Sequence, residues 1–555
     1  MWQGVIALLG TVSIFVFLLR LVPEQPPPEV PVAGGTYREG TLGYAETINP
    51  ILAPYMIQAN PVDQDLSSLV FEGLTSLDET GQITPCLATE WEVSEDGTVY
   101  EFKLRPDVVW HDGAPFTAGD VAFTVQAMQD PNYRGDSALG ELWRNVTVEQ
   151  VERDRVRFTL QEPFSSFLYY TTIGILPAHL LSAVPASQLP NHRFSTQHPV
   201  GTGRFTVEKV TVDRVTLAAN PTYWGHKPFL ERFEFLFFGN WGDLLSAYQR
   251  GEVHGFHLPS PQVLPELFEF PELQIFSAPS AGYGLIYLNL QRESLPFFQQ
   301  KEVRQALLYA LDRQSLIERS LNGQALLADS PILPSNWAHD ASVRRYGYDP
   351  ERAIGLLDAS GWMDTNANRI RDRDNQELSF TLLTSEDPIM VRMAEEIVCQ
   401  WQAVGVETTV RSVSSVSMAS LIRNRNFDAA LTEIGLTADP DPYPLWHSTQ
   451  AGSGQNYSGF ANEQADLIME QIRITADLER RTQLYHAFQQ IFAEEVPSLL
   501  IYYPIYLYGV DARVRQVQLS PLFRPADRFR NLADWYIQLR PAAEETPLFD
   551  KNDES

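Results

Sequence analysis

Apolar and polar residues alternate from Trp91 to Trp110, and this alternation predicts a β-meander. Trp91, Val93, Val99, Tyr100, Phe102, Leu104, Val108 and Trp110 carry the strand-forming side chains, while Asp96-Gly97 and Asp112-Gly113 mark the turns. Thr117, placed before Ala118, Gly119 and Asp120, predicts the N-cap of a helix. Upstream, residues 35 to about 60 read as a first strand followed by the turn Thr47-Ile48-Asn49-Pro50 and a loop. Residues 66–77 read as a helix running into a strand, and residues 282–290 as a strand. Val303, Ala306, Leu307, Ala310, Leu311 and Ile317 share one helical face, predicting a helix ended by Asn322-Gly323. A second helix is expected over 395–404, ended by Gly405, and a strand beginning at 429–431. Residues 465–493 read mostly as amphipathic helix and 498–510 as a strand-rich return.

The two ends have a different pattern. Residues 5–19 are apolar apart from Gly10, Thr11 and Ser13, and Arg20 closes the run. A spanning helix needs ~17–25 residues and a signal-peptide core ~7–15, so the run sits between them. An uncleaved membrane anchor over residues 1–22 is expected, with a cleaved signal as the alternative. The first cysteine is Cys86, so a lipid-anchored N-terminal cysteine is not expected. A stiff Pro-rich linker follows over 23–35. The tail 541–555 sets Glu544, Glu545, Asp550, Asp553 and Glu554 against Lys551 and reads as disordered.

Composition narrows the function classes. A chain of 555 residues is too long for one core and should divide into lobes. Its formal charge of −29, with no basic stripe, argues against a nucleic-acid partner. Cys86 and Cys399 form neither a disulfide framework nor a metal motif. The ten histidines contain no HExxH pair, and His111 sits in the meander's turn. Gly452-Ser453-Gly454 lacks the spacing of a nucleophile elbow. The Asp/Asn-rich stretch 364–375 has Arg369 where a calcium loop needs glycine and Asn375 where it needs glutamate, which leaves a polar hairpin. No enzyme, metal or cofactor is expected.

The meander carries a W-x-x-S-x-D-G turn, a Y-x-F-x-L-R strand, an H-D-G turn and an F-T-A-x-D-V helix start. In that order these resemble the signature of the extracytoplasmic solute-binding proteins of ABC importers, family 5, which holds the dipeptide- and oligopeptide-binding proteins. Phe71-Glu72-Gly73-Leu74, His198 to Phe205 (HPVGTGRF), Asn220-Pro221-Thr222-Tyr223-Trp224 and the helix VRQALLYALDRQSLI extend the resemblance over about 35–535. Arg204 stands where the family usually has proline. The resemblance implies an α/β, two-lobed periplasmic-binding-protein-like fold (type II, cluster C-like) with an extra β-rich subdomain. Lobe I is expected over 36–280, including the subdomain at about 68–195, lobe II over 281–503, and a return to lobe I over 504–540. Hinge strands are expected near 277–283 and 502–508.

Function follows from the same resemblance: a monomeric, extracytoplasmic peptide-binding component that delivers its ligand to ABC permease subunits, held to the membrane by residues 1–22. A binding protein for an oligosaccharide or metal chelate is the alternative; an extracytoplasmic enzyme or sensor is a more distant one. In the family's peptide binders, an aspartate in a loop like Thr437–Ser448 (TADPDPYPLWHS) pairs with the ligand's α-amino group. Asp439 matches that position, and Asp441 is the alternative because this loop is one residue shorter. Tyr443 and Trp446 of the same loop, and Tyr283, Tyr287, Trp337 and Tyr457, are candidates to pack ligand side chains. Asn49 is expected at the border of the cleft.

Overall fold

The computed structural model describes residues 29–53 and 60–541. The expected anchor over 1–22 and nearly all of the acidic tail lie outside the described residues. Among the described residues no helix is long and apolar enough to cross a membrane.

One strand organises the molecule. Ser498–Asp511 pairs antiparallel with Gly282–Leu288 over its first half, matching Ser498 to Tyr287 and Tyr502 to Gly284. Over its second half it pairs with Leu273–Pro279, matching Ile505 to Pro279 and Asp511 to Leu273, and with Gly255–His257. The sheet continues on one side through Thr36–Leu42, Arg232–Phe238, Arg214–Ala219 and Phe205–Val210. On the other it continues through Gly282–Leu288, Ala429–Gly435, Ser379–Ser385 and Glu407–Val413. These are the sheets of two lobes. The chain passes between them at Pro279–Gly282 and again inside Ser498–Asp511, where Pro504 accepts the Ser280 amide.

Lobe I carries the meander as a subdomain. Ala88–Val93, Val99–Leu104, Arg155–Leu160 and Val146–Glu152 form a four-stranded antiparallel sheet. The helix Ala118–Gln129 lays Val121, Val125 and Met128 into the same core as Trp143 and Phe158. Its start is set by Asp120, whose Oδ2 accepts the Thr117 amide at 2.9 Å and the Thr117 hydroxyl at 3.1 Å.

The family motifs behind this subdomain meet at one half-buried glutamate. Glu72 accepts from the Tyr223 hydroxyl (2.7 Å), the Thr202 hydroxyl (3.0 Å) and the Trp224 indole (3.0 Å). Burial still pushes its pKa up. A Cβ on Gly201 would lie 1.8 Å from the Val70 carbonyl oxygen, so the glycine permits a close backbone approach. These motifs tie three loop segments of lobe I together.

Helix boundaries differ from the periodic reading. The helix expected over 303–317 is two, Lys301–Tyr309 and Arg313–Leu321, because Asp312 caps the second through the Ser315 amide at 3.0 Å. Asn322 (φ 52°) and Gly323 (φ 73°) end it. Residues 465–493 also divide, into Glu463–Ile474 and Leu478–Glu495, the latter capped by Asp477. The helix expected from Glu395 begins at Pro388, behind the N-cap Asp387. In the polar hairpin Asp372–Arg373 and Gln376–Glu377 flank Asp374 (φ 53°) and Asn375 (φ 63°), as a type I′ turn requires. Asp364 accepts the amides of Asn368 and Arg369 there.

Candidate ligand site between the lobes

The lobes meet where residues 78–81 and 164–170 of lobe I face 336–337 and two helices of lobe II. The Ser165 amide donates to the Arg473 carbonyl (2.7 Å) and its hydroxyl to that of Ile472 (2.9 Å). The Trp337 amide donates to Thr80 (3.2 Å), and its indole donates to the Tyr169 hydroxyl (3.2 Å). Tyr169 in turn donates to the Gly81 carbonyl at 3.1 Å.

Both loop aspartates lie at this seam, each beside an arginine. Asp441 is the anchored one. Its Oδ1 accepts the Tyr443 amide at 3.0 Å, starting the short helix Tyr443–Trp446. Its Oδ2 receives Nε and Nη2 of Arg473, both at 2.8 Å. That guanidinium lies 3.9 Å over the Tyr443 ring, which stacks on His447 at 4.0 Å.

Asp439 is held more loosely. Its side chain is 12% exposed, and its contact to Arg481 Nη2 measures 3.5 Å. The same Nη2 donates to the hydroxyls of Ser166 (3.3 Å) and Tyr485 (3.2 Å). Burial pushes the Asp439 carboxyl up to about 6; the Arg481 charge and a hydrogen bond with Ser166 oppose this and the Asp441 charge adds to it. Trp337 meets Tyr485 edge-on at 5.4 Å, and the Arg481 guanidinium lies 5.6 Å and 5.5 Å from the two rings.

The signature of the bacterial extracellular solute-binding proteins, family 5 (middle region), matches residues 82–456. The chain belongs to this family. The oligopeptide-binding protein AppA of Bacillus subtilis is 28% identical over 483 residues, covering 85% of this chain and 87% of AppA. The dipeptide-binding protein of Escherichia coli is 26% identical over 469 residues, covering 80% and 85%. The solved structure of B. subtilis AppA in complex with a nonapeptide superposes with a TM-score of 0.68 at 26% identity, covering 92% of this chain and all (100%) of AppA. Family 5 is a family of solute-binding proteins rather than enzymes.

Within this family-5 chain, the seam gathers Asp439, Asp441, Tyr443 and Trp337 from the expected set. The others lie elsewhere. Trp446 is fully buried against Phe492, ring centroids 4.8 Å apart, and Tyr283 is fully buried in the same lobe II core. Tyr287 is buried edge-on to Tyr457 at 5.7 Å, and Tyr457 lies under the Arg425 guanidinium. Asn49, expected at the border of the cleft, is instead a buried turn residue of lobe I. Its Nδ2 donates to Ser195 Oγ (3.0 Å) and its Oδ1 accepts the Ile51 amide (3.1 Å). The adjoining Thr47 and Ile48 line a lobe I cavity of about 160 Å³ with Thr196, Val210 and Phe237.

Ser166, Tyr169, Arg473, Arg481 and Tyr485 complete the seam and were not among the expected residues. Arg481 and Tyr485 are an i, i+4 pair on one helix, which is a local signal for their contact. Nothing local ties Arg473 or Arg481, on two later helices, to the loop aspartates.

Proposed function

We propose that this chain is the extracytoplasmic component of an ABC importer that captures peptides between its lobes and hands them to membrane permease subunits. The observation that carries the reading is Asp439, a carboxylate at the interlobe seam whose contact to Arg481 is long, at 3.5 Å, with the Ser166 hydroxyl as its other side-chain partner. Free carboxylate capacity in such a place suits a ligand ammonium, since a buried charge is costly unless it is paired. Similarity to AppA and to the E. coli dipeptide binder supports peptides as the ligand class. The lobes open and close about the two crossings, burying the ligand as they close. Residues 1–22 would keep the protein, acting as a monomer, at the membrane surface. Asp441, Tyr443 and Trp337 would frame the ligand's first residues.

Thermal-shift titration of the full-length chain with pools of di- to nonapeptides tests this, because a ligand selective for the native state raises the melting temperature. Free-amine peptides should stabilise it, N-acetylated ones should not, and Asp439→Asn should abolish the shift while Asp441→Asn weakens it. Stabilisation by oligosaccharides or metal chelates alone would discard the peptide reading. A stabilisation unaffected by N-acetylation would remove Asp439 as the ammonium partner.

A further inference from the structure

Arginines buried in this protein normally spend their donors inside the fold. Arg528 gives Asp65 two hydrogen bonds, at 2.7 and 2.5 Å, and Glu39 two more, at 3.3 and 3.0 Å. Arg313 reaches the carbonyls of Ala328, Leu500 and Tyr346 and the carboxylate of Asp329. Arg304 reaches the carbonyls of Phe298, Glu495 and Val496. Arg481 departs from this pattern. Its side chain is 8% exposed, yet its Nε is buried without a hydrogen-bond partner among the described residues. The bonds it makes to Ser166, Asp439 and Tyr485 all leave from Nη2, at 3.2–3.5 Å. Charge-assisted bonds are usually about 2.7–2.9 Å, so this guanidinium is under-bonded at the seam.

Its neighbour completes the pattern. Asp439 Oδ1 lies 3.5 Å from Arg481 Nη2, which sets a carboxylate beside a cation with bonding capacity left over. At the N-terminal end of a peptide, the ammonium nitrogen and the first carbonyl oxygen are also neighbours, about 3 Å apart across the Cα. The two pairs are complementary: cation to carboxylate, and carbonyl oxygen to guanidinium N–H. Trp337 and Tyr485 flank the guanidinium, limiting the orientations it can take.

We propose that Arg481 is a ligand-binding residue, donating from Nε to the first carbonyl oxygen of a peptide whose ammonium rests on Asp439. This deepens the peptide reading and rests on it. Specificity for the peptide N-terminus is then read at two adjacent atoms, by residues of one lobe, with Ser166 of the other lobe bonded to the same guanidinium.

Isothermal titration of the full-length chain with three probes tests the proposal. The probes are tetra-alanine, N-acetyl-tetra-alanine, and tetra-alanine with a trans-alkene in place of its first peptide bond. A hydrogen bond to a charged group predicts that the alkene probe binds wild type about 30-fold more weakly than tetra-alanine. Arg481→Met should weaken tetra-alanine by a similar factor and narrow the alkene ratio to below about 3-fold. Arg481→Lys keeps the charge but loses the Nε donor, and should show the same narrowed ratio with little change in melting temperature. An unchanged ratio in either variant overturns the proposal, as does tighter binding of tetra-alanine to Arg481→Met, which would make Arg481 a competitor of the ammonium. A wild-type ratio near one overturns it without any variant. Loss of discrimination by acetylation alone would remove the Asp439–ammonium reading while the alkene ratio still judges Arg481. Failure of tetra-alanine and of the peptide pools to bind would sink both.

Discussion

Buried ionisable side chains divide into those the fold satisfies and those it strains. Arg528 belongs to the first kind: it sits between Asp65 and Glu39, and Glu39 also accepts from the hydroxyls of Tyr37 (2.8 Å) and Tyr508 (2.7 Å). Arg528→Met leaves two carboxylates without their cation, so a loss of about 3–5 kcal/mol is expected in urea unfolding. Asp63 is of the second kind. Burial pushes it up to about 6 even though it accepts the Glu46 amide at 2.8 Å. A carboxyl raised in the folded state favours folding below its unfolded pKa, about 4, and that contribution disappears as pH rises through 6. Asp63→Asn keeps an acceptor without the charge, so it should raise stability by on the order of 1 kcal/mol at pH 7.5. At pH 4 the gain should vanish; an equal gain at both values would show that charge burial is not the cause. At this scale the seam was half legible. Pro440, Pro442 and Pro444 mark a loop and so point to Asp439 and Asp441. The arginines opposite them reach across from separate helices. Tyr283 and Trp446 show the other limit, because an aromatic side chain reads the same in a core as in a cleft.

Elements were legible in kind and blurred at their ends. The apolar residues from Val303 to Ile317 stay in one buried core although the backbone breaks between Tyr309 and Arg313. The break is written in Asp312, an N-cap residue inside a periodic run, and polar caps weigh little in a hydrophobic pattern. Asp312→Ala removes the Oδ1 acceptor of the Ser315 amide and the Oδ2 acceptor of its hydroxyl at 2.7 Å. A loss of about 1–2 kcal/mol should follow, visible as a lower melting temperature with ligand affinity unchanged. No loss would mean that packing alone sets the helix start. The strands Val146–Glu152 and Arg155–Leu160 were readable in principle, since Val156, Phe158 and Leu160 alternate toward the subdomain core. The N-cap Asp387 likewise explains why the helix that ends at Ala403, before Gly405, starts earlier than its apolar face suggests.

Sheet order is a property of the whole chain, and alternation within a strand carries no information about its neighbours. Thr36–Leu42 lies parallel to Arg232–Phe238, nearly two hundred positions away, and the pairing was accessible only through family resemblance. What the assembled fold adds is a seam bridged by hydrogen bonds from both lobes. Among the described residues Ser165 contributes two, Trp337 two and Ser166 one, and nearer the crossings Gln262 donates to the Ser320 carbonyl (2.9 Å) and Asn322 to the Pro261 carbonyl (3.1 Å). Trp337→Phe keeps the ring beside Tyr485 but removes the indole donor to Tyr169. Losing one neutral hydrogen bond, about 1 kcal/mol, should lower the closed-to-open ratio about fivefold. Small-angle scattering of the free variant should then give a larger radius of gyration than wild type, with saturating peptide bringing both to the same compact value. Identical radii without ligand would mean that the indole–hydroxyl bond does not hold the lobes. A variant that stays expanded under saturating peptide would mean that Trp337 is needed for the closed complex itself.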